Sequence, residues 1–235
     1  MKIIDLTMPY YNGQPGMYGF EGCRTAPTWP EAFKATETMS YEPSGMRFHV
    51  YTILCEPGTR FILASFRKEF KNEATLDTID LKDIILRDAV ILDVPKGDDE
   101  IVQADELEAA FKKAPVKRGD ALIIRTGWGD NQRYFKLGRL FQDNSPHFNA
   151  ASADKLVELL EKNGSNLWTY DVESMSGLDK KTGIRGGFSI HSGMMAVGSV
   201  VNCGAITKPR VKLIAAPLKA KGGHMGPCSV VAIEE

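Results

Sequence analysis

Two short apolar runs constrain this chain more than any other feature: Ala89 to Val94 (AVILDV) and Ala121 to Thr126 (ALIIRT). A strand that is apolar at both parities needs cover on both faces, which is the condition of an interior strand. Between the runs lies QADELEAAFKKA, Gln103 to Ala114. It sets Leu107, Ala110, Phe111 and Ala114 at i, i+3, i+4 and i+7, with acids early and lysines late. That is an amphipathic helix whose charges suit its dipole. Lys117-Arg118-Gly119-Asp120 then turns the chain into the second run. Strand, helix, strand predicts one α/β domain over residues 1–235, with a mixed central sheet and helices outside.

The rest of the chain fits that frame. Lys2 to Leu6, Arg47 to Leu54 (RFHVYTIL), Asn166 to Asp171, Ala196 to Val201, Val211 to Ala216 and Cys228 to Ile233 read as strands. Ala151 to Lys162 reads as a second helix with Gly164 as its stop. His191 to Met195 reads as a short helix, and Lys181 to Ser189 as a glycine-rich loop. The polar and aromatic excursion from Asp130 to Phe148 is long enough to form a lid.

Composition narrows the partners. A formal net charge of −1 gives no electrostatic case for nucleic acid or an anionic membrane. No apolar run is long enough to span a bilayer. MKIIDLTMPYY lacks the apolar centre of a signal peptide, so the cytoplasm is the expected compartment. The four cysteines, Cys23, Cys55, Cys203 and Cys228, form no CxxC pair, and neither a zinc ribbon nor a disulfide framework is expected.

The stretch CEPGTRFILASF, Cys55 to Phe66, asks the sharpest question. Pro57-Gly58-Thr59 reads as a turn, flanked by the carboxylate of Glu56 and the guanidinium of Arg60. Two readings stand: a turn with an ordinary ion pair, or the floor of a site. Other residues have two readings as well. His191 is a general acid or base, or a silent histidine at a helix start. Cys203 is a nucleophile if His191 lies within reach, or a small buried residue. His224, in GGHMGP, lies in a site or on the surface. Trp128 covers a flat ligand or packs under the excursion. Asp171 and Glu173 are a proton-transfer pair or structural.

Several phrases line up in order with one family. IIDLTMPYYNGQPGMYG, GDALIIRTGW, LWTYDVESMSG, the segment from His191 through Gly198, and AAPLKAKGGHMGPCSVVAI resemble the cyclase family, which includes bacterial kynurenine formamidase and isatin hydrolase. The resemblance implies a swivelling β/β/α fold, a homodimer or homotetramer, and hydrolysis of small amides and lactones at a divalent metal, zinc or manganese. The family's HxGTHxDxPxH signature falls on CEPGTRFILASF. Gly58 and Thr59 match, while Glu56, Arg60, Ile62, Ala64 and Phe66 stand where His, His, Asp, Pro and His are implied. Cys203 stands where the resemblance implies a glutamate ligand, twelve residues after His191.

A guanidinium has no lone pair for a metal, and Ile62 and Phe66 cannot coordinate one. No metal cofactor is therefore expected. The expectation is a divergent hydrolase or lyase for a small amide, imide or lactone-type carbonyl compound. Arg60 would bind an anion or oxyanion, His191 and Glu56 would move protons, and Thr59, Trp128, His224 and Cys203 would line the substrate. The other class of reading is a non-catalytic metabolite-binding or structural paralogue, with Glu56 and Arg60 as filler.

Overall fold

In the computed structural model of the chain, the described residues are 1–15, 19–20, 33–40, 42, 45–54, 58–179, 184–185 and 189–235. In chain order the strands are β1 (Lys2–Asp5), β2 (Gly19–Phe20), β3 (Phe33–Met39), β4 (Phe48–Ile53), β5 (Arg60–Leu63), β6 (Arg87–Asp93), β7 (Ile101–Val102), β8 (Ala121–Arg125), β9 (His147–Phe148), β10 (Leu167–Tyr170), β11 (Leu178–Asp179), β12 (Ile184–Arg185), β13 (Met195–Gly198), β14 (Arg210–Pro217) and β15 (Met225–Glu234). The α-helices are α1 (Ala104–Lys113), α2 (Arg133–Leu137), α3 (Arg139–Asp143) and α4 (Ala150–Asn163).

Eight strands form one sheet in the order β1-β15-β14-β6-β8-β10-β13-β5. Because β15 also pairs with β5, all of these except β1 close into a ring. The run β6-β8-β10-β13 is parallel, and the other pairings are antiparallel. Helices α1 and α4 make the crossovers that parallel neighbours require. Both helices start on reciprocal or one-sided caps. The Glu106 carboxylate accepts from the Gln103 amide at 2.8 Å, and Asn149 and Ser152 exchange bonds at 2.9 and 3.0 Å. Gly164 ends α4 at φ +67°, a left-handed cap.

The closed sheet separates two cores. One contains Leu107, Leu156, Val157 and Leu160 of the helices, together with Ile62, Leu122, Ile124, Trp168 and Ala196. A ring of seven strands has room inside for side chains and not for a helix, so this is the outer core. The other, with Phe61, Leu63, Ile91, Ile123, Val197 and Leu213, has no α-helix residue among the described residues and fills the interior. Alternation along β5 thus points Arg60 and Ile62 outward, and Phe61 and Leu63 inward.

The expected strands and both long helices are present, with three differences. Residues 191–195 are not a helix. The Met194 amide bonds to the His191 carbonyl in a turn, and the Met195 amide is taken by the Asn166 carbonyl at 2.7 Å, which starts β13. That strand stops at Gly198 because Ser199 adopts φ +54°. RFHVYTIL is a strand, but it pairs with β3 in a separate two-stranded ribbon and not with the main sheet. The excursion from 130 to 148 contains α2 and α3, hinged where Gly138 adopts φ +54°.

Candidate functional site

The carboxyl ends of β6, β8, β10 and β13 come to one side of the ring, where α/β sheets usually place their ligands. Arg60 pairs with Gly198, so the start of β5 lies at that same end. The loops that follow the strands are clamped there. The Asp171 carboxylate accepts from the Thr126 amide at 2.9 and 3.0 Å, the Thr126 hydroxyl at 2.7 Å and the Gly127 amide at 2.8 Å. Burial pushes the Asp171 carboxyl up to about 6, against these donors, which pull it down. Asp130 accepts from the Gly204 amide at 2.9 and 3.1 Å.

Thr59 is a staple. Its hydroxyl accepts from the Met8 amide at 2.7 Å and donates to the Ser199 carbonyl at 2.8 Å. Those bonds join the N-terminal segment, β5 and the end of β13. Arg60 is 2% exposed. Its guanidinium donates to the Ser199 hydroxyl at 2.8 Å, the Glu173 carbonyl at 3.0 Å and the Gly58 carbonyl at 3.2 Å. Ser199 in turn donates to the Glu173 carbonyl at 2.9 Å.

In front of this network lies a cavity of about 10 Å³, lined by Tyr11, Gly58, Tyr134, Phe141, Gln142 and Glu173 among others. That is room for about one water. Arg60 stands one layer behind it, bonded to the carbonyls of two lining residues, Gly58 and Glu173. Helices α2 and α3 roof the cavity. The roof is held by Tyr11 donating to the Tyr134 carbonyl at 3.2 Å and Gln142 donating to the Pro15 carbonyl at 3.0 Å. Arg133 adds a contact 4.0 Å over the Trp128 ring and an ion pair to Asp98 at 2.9 Å. Burial, then Tyr134, raises the Tyr11 phenol above its ordinary value.

Of the expected site residues, Thr59 and Arg60 meet here. Trp128 is close but fully buried, stacked on Phe141 with its indole donating to the Phe141 carbonyl at 3.1 Å. It holds the roof from below and has no surface to offer a ligand. His191 is at the other end of β13, on the surface, with Nδ1 2.9 Å from Glu161 of α4 and its side chain 54% exposed. Position in the sheet, not spacing in the sequence, separates it from Arg60. His224 lies past the far end of β5, with Nδ1 3.1 Å from the Ser65 hydroxyl.

Cys203 faces the inner core, across the sheet from Arg60. Burial drives its thiol well above the ordinary value, and Asp171 and Asp130 add to that. A protonated, enclosed thiol is no nucleophile, and His191 is not beside it. Asp171 and Glu173 part ways: the first is a clamp, the second lines the cavity. Glu56, Cys23, Cys55 and most of the loop from 181 to 189 lie outside the described residues.

Sequence reasoning missed Ser199, Tyr11, Tyr134 and Gln142. The one signal for Ser199 was its place directly after Gly198, at the end of an apolar strand. The other three come from loops whose packing no periodicity encodes.

The residues present do not fit a divalent metal at the signature strand. Arg60 brings a fixed cation. Ile62 and Ala64 are 1% and 2% exposed in the outer core, and Phe66 packs against it. Ile62 and Phe66, which stand where an Asp and a His are implied, have joined the hydrophobic packing. Among the described residues, no group of three or more His, Cys, Asp or Glu is placed to hold a metal ion.

A closed mixed sheet, helices outside and loops gathered at the carboxyl ends define a cyclase-like hydrolase fold. The family described as "Putative cyclase" matches residues 4–172, well over half of the chain, and the chain belongs to that family. Among solved structures, isatin hydrolase A from Labrenzia aggregata is similar at TM-score 0.77 and 19% identity, over 100% of this chain and 94% of that one. Isatin hydrolase A from Ralstonia solanacearum is similar at TM-score 0.77 and 18% identity, over 99% and 92%. A predicted metal-dependent hydrolase from Bacillus stearothermophilus is similar at TM-score 0.68 and 16% identity, over 98% and 97%. At these identities the likeness is one of fold. No curated protein matches the sequence. Among the described residues, no helix is long and apolar enough to cross a membrane.

Proposed function

We propose that the chain is a cyclase-family hydrolase, or a lyase, for a small amide, imide or lactone-type carbonyl compound, and that it works without the family's divalent metal. The carrying observation is the wall of the roofed cavity, where Glu173 lines the space and Arg60 is bonded directly behind it. Glu173 is the group positioned to take a proton from water or from the substrate and return it to the leaving nitrogen or oxygen. Arg60 is a positioning residue: it holds the Gly58 and Glu173 carbonyls and supplies a fixed positive charge near developing negative charge. His191 has no part in this arrangement. The substrate enters when α2 and α3 lift, since the cavity as it stands holds about one water. A homodimer or homotetramer belongs to the same proposal, and light scattering on the purified chain reads it.

The test is turnover of a panel of amides, imides and lactones. Glu173→Gln is expected to lower kcat by a factor of about 10²–10⁴ while leaving the far-UV spectrum unchanged. Arg60→Met is expected to reduce activity as well, and treatment with EDTA to leave it intact. Activity that disappears with EDTA and returns with zinc or manganese would overturn the metal-free mechanism.

One observation favours a second reading. Three of Arg60's hydrogen bonds end on the protein itself, and the cavity has room for about one water. A non-catalytic metabolite-binding or structural paralogue has these features, with Arg60 filling an old site. Absence of turnover over the whole panel, with Glu173→Gln and Arg60→Met differing from the parent only in stability, selects that reading.

A further inference from the structure

The two helices of the roof are held differently. In α3, Phe141 and Gln142 are 3% and 4% exposed. The Phe141 carbonyl accepts from the Trp128 indole, and Gln142 donates to the Pro15 carbonyl. In α2 no residue is buried, Phe135 is 63% exposed, and Tyr134 and Leu137 pack only in part against the outer core. The backbone sets α2 apart at both ends. Asn131 and Gln132, just before it, both adopt φ +56°, and Gly138, just after it, adopts φ +54° with ψ −122°. Left-handed backbone is unfavourable for a residue with a long side chain such as glutamine. It persists where surrounding contacts impose it, and it is common at clamps and switch segments.

Two of the contacts that impose it converge on one residue. Arg133, the first residue of α2, lies 4.0 Å over the ring of the fully buried Trp128 and donates to Asp98 at 2.9 Å. A planar guanidinium can stack on a ring and pair with a carboxylate at its edge at the same time, which an ammonium cannot. Asp98 belongs to the loop after β6, outside the roof, so the pair ties α2 to the barrel. We propose that α2 is the leading flap of the roof and that Arg133 is its latch. Seated between Trp128 and Asp98, it holds the flap down. Released, it lets α2 swing on residues 131–132 and Gly138 and admits a solute to the cavity. The consequence for turnover rests on the function proposed above; the latch itself does not. Half of the seat is an ion pair whose side chains are 34% and 56% exposed. Salt screens such a pair, so the closed state weakens as ionic strength rises.

Thiol labelling of a Met8→Cys chain reads the opening without any substrate. Position 8 is 3% exposed and lines the cavity under the roof. Its thiol meets methyl methanethiosulfonate, a small uncharged reagent, when the flap is up, and peptide mass spectrometry reads it apart from the native cysteines. Cys203 and Cys228 are buried in the inner core and label on global unfolding, so their protection is the control. In this background Asp98→Asn is expected to speed labelling about threefold, and Arg133→Met, which loses the ring contact as well, about tenfold. Arg133→Lys keeps the charge without the planar stack and is expected to fall between the parent and Arg133→Met. Raising salt from about 0.05 to 1 M is expected to speed labelling of the parent about threefold and to leave the Asp98→Asn chain nearly unchanged. Labelling unmoved by Arg133→Met, with Cys203 and Cys228 protected, overturns the latch. So does an equal response to salt in the two chains. Turnover of the amide, imide and lactone panel keeps the two readings apart. No turnover with a working latch rejects the function alone, and Glu173-dependent turnover with labelling indifferent to Arg133 rejects the latch alone.

Discussion

Arg60 and Asp171 show how a buried charge is treated at the two levels of the site wall. Arg60 cannot lose its proton, so the fold surrounds it with carbonyl and hydroxyl acceptors. Asp171 can be protonated, and burial pushes its carboxyl up to about 6 even with donors from Thr126 and Gly127. Its folded value thus lies above the ordinary one near 3.9. The folded protein then holds more protons than the unfolded chain between pH 4 and 6. The contribution is fully present below about pH 4 and is lost as pH rises through 6, a change of about 3 kcal/mol. Asp171→Asn does not titrate. The stability of the parent minus that of the variant, from urea unfolding, is expected to fall over this window and then level off. A difference that rises from pH 4 to 6 would contradict the assignment.

At the level of elements, the strands and helices with strict periodicity were legible in the sequence. AVILDV and ALIIRT became neighbouring parallel strands, and the Leu107–Ala114 spacing became α1. The turn ending the second strand carries a constraint that only the packing reveals. A Cβ on Gly129 would stand 2.5 Å from the Val200 carbonyl oxygen and 3.1 Å from that of Asp171. Both are backbone atoms and cannot swing aside. Gly129→Ala is expected to cost about 3 kcal/mol, the upper end of ordinary overpacking, and thermal unfolding measures it. The site was less legible for the same kind of reason. The family resemblance implied His191 and Cys203 beside Arg60. Sheet parity and strand direction put the first at the opposite end and the second on the opposite face. Ser199 took the position beside the guanidinium instead.

For the whole molecule, ring closure decides where stability resides. Strand β15 pairs with β1, β14 and β5, and the Thr59 staple adds a further tie at the site end. Opening any parallel strand therefore breaks two ladders and exposes both cores, which is close to global unfolding. The ribbon of β3 and β4 is different. It belongs to neither core cluster, Phe48, Val50 and Tyr51 are 51%, 55% and 60% exposed, and a lone two-stranded ribbon is marginal in water. Among the described residues its anchors include a ring stack from Tyr10 through Phe33 to Tyr51 and a bond from the Ala35 amide to Asn12. Hydrogen exchange read by mass spectrometry is expected to separate the two. Peptides covering Phe48–Ile53 should exchange orders of magnitude faster than those covering Ala121–Arg125 and Leu167–Tyr170. Protection of the ribbon equal to that of β8 would mean that it opens only with the barrel. Stability would then be shared across the chain and not concentrated in the closed sheet.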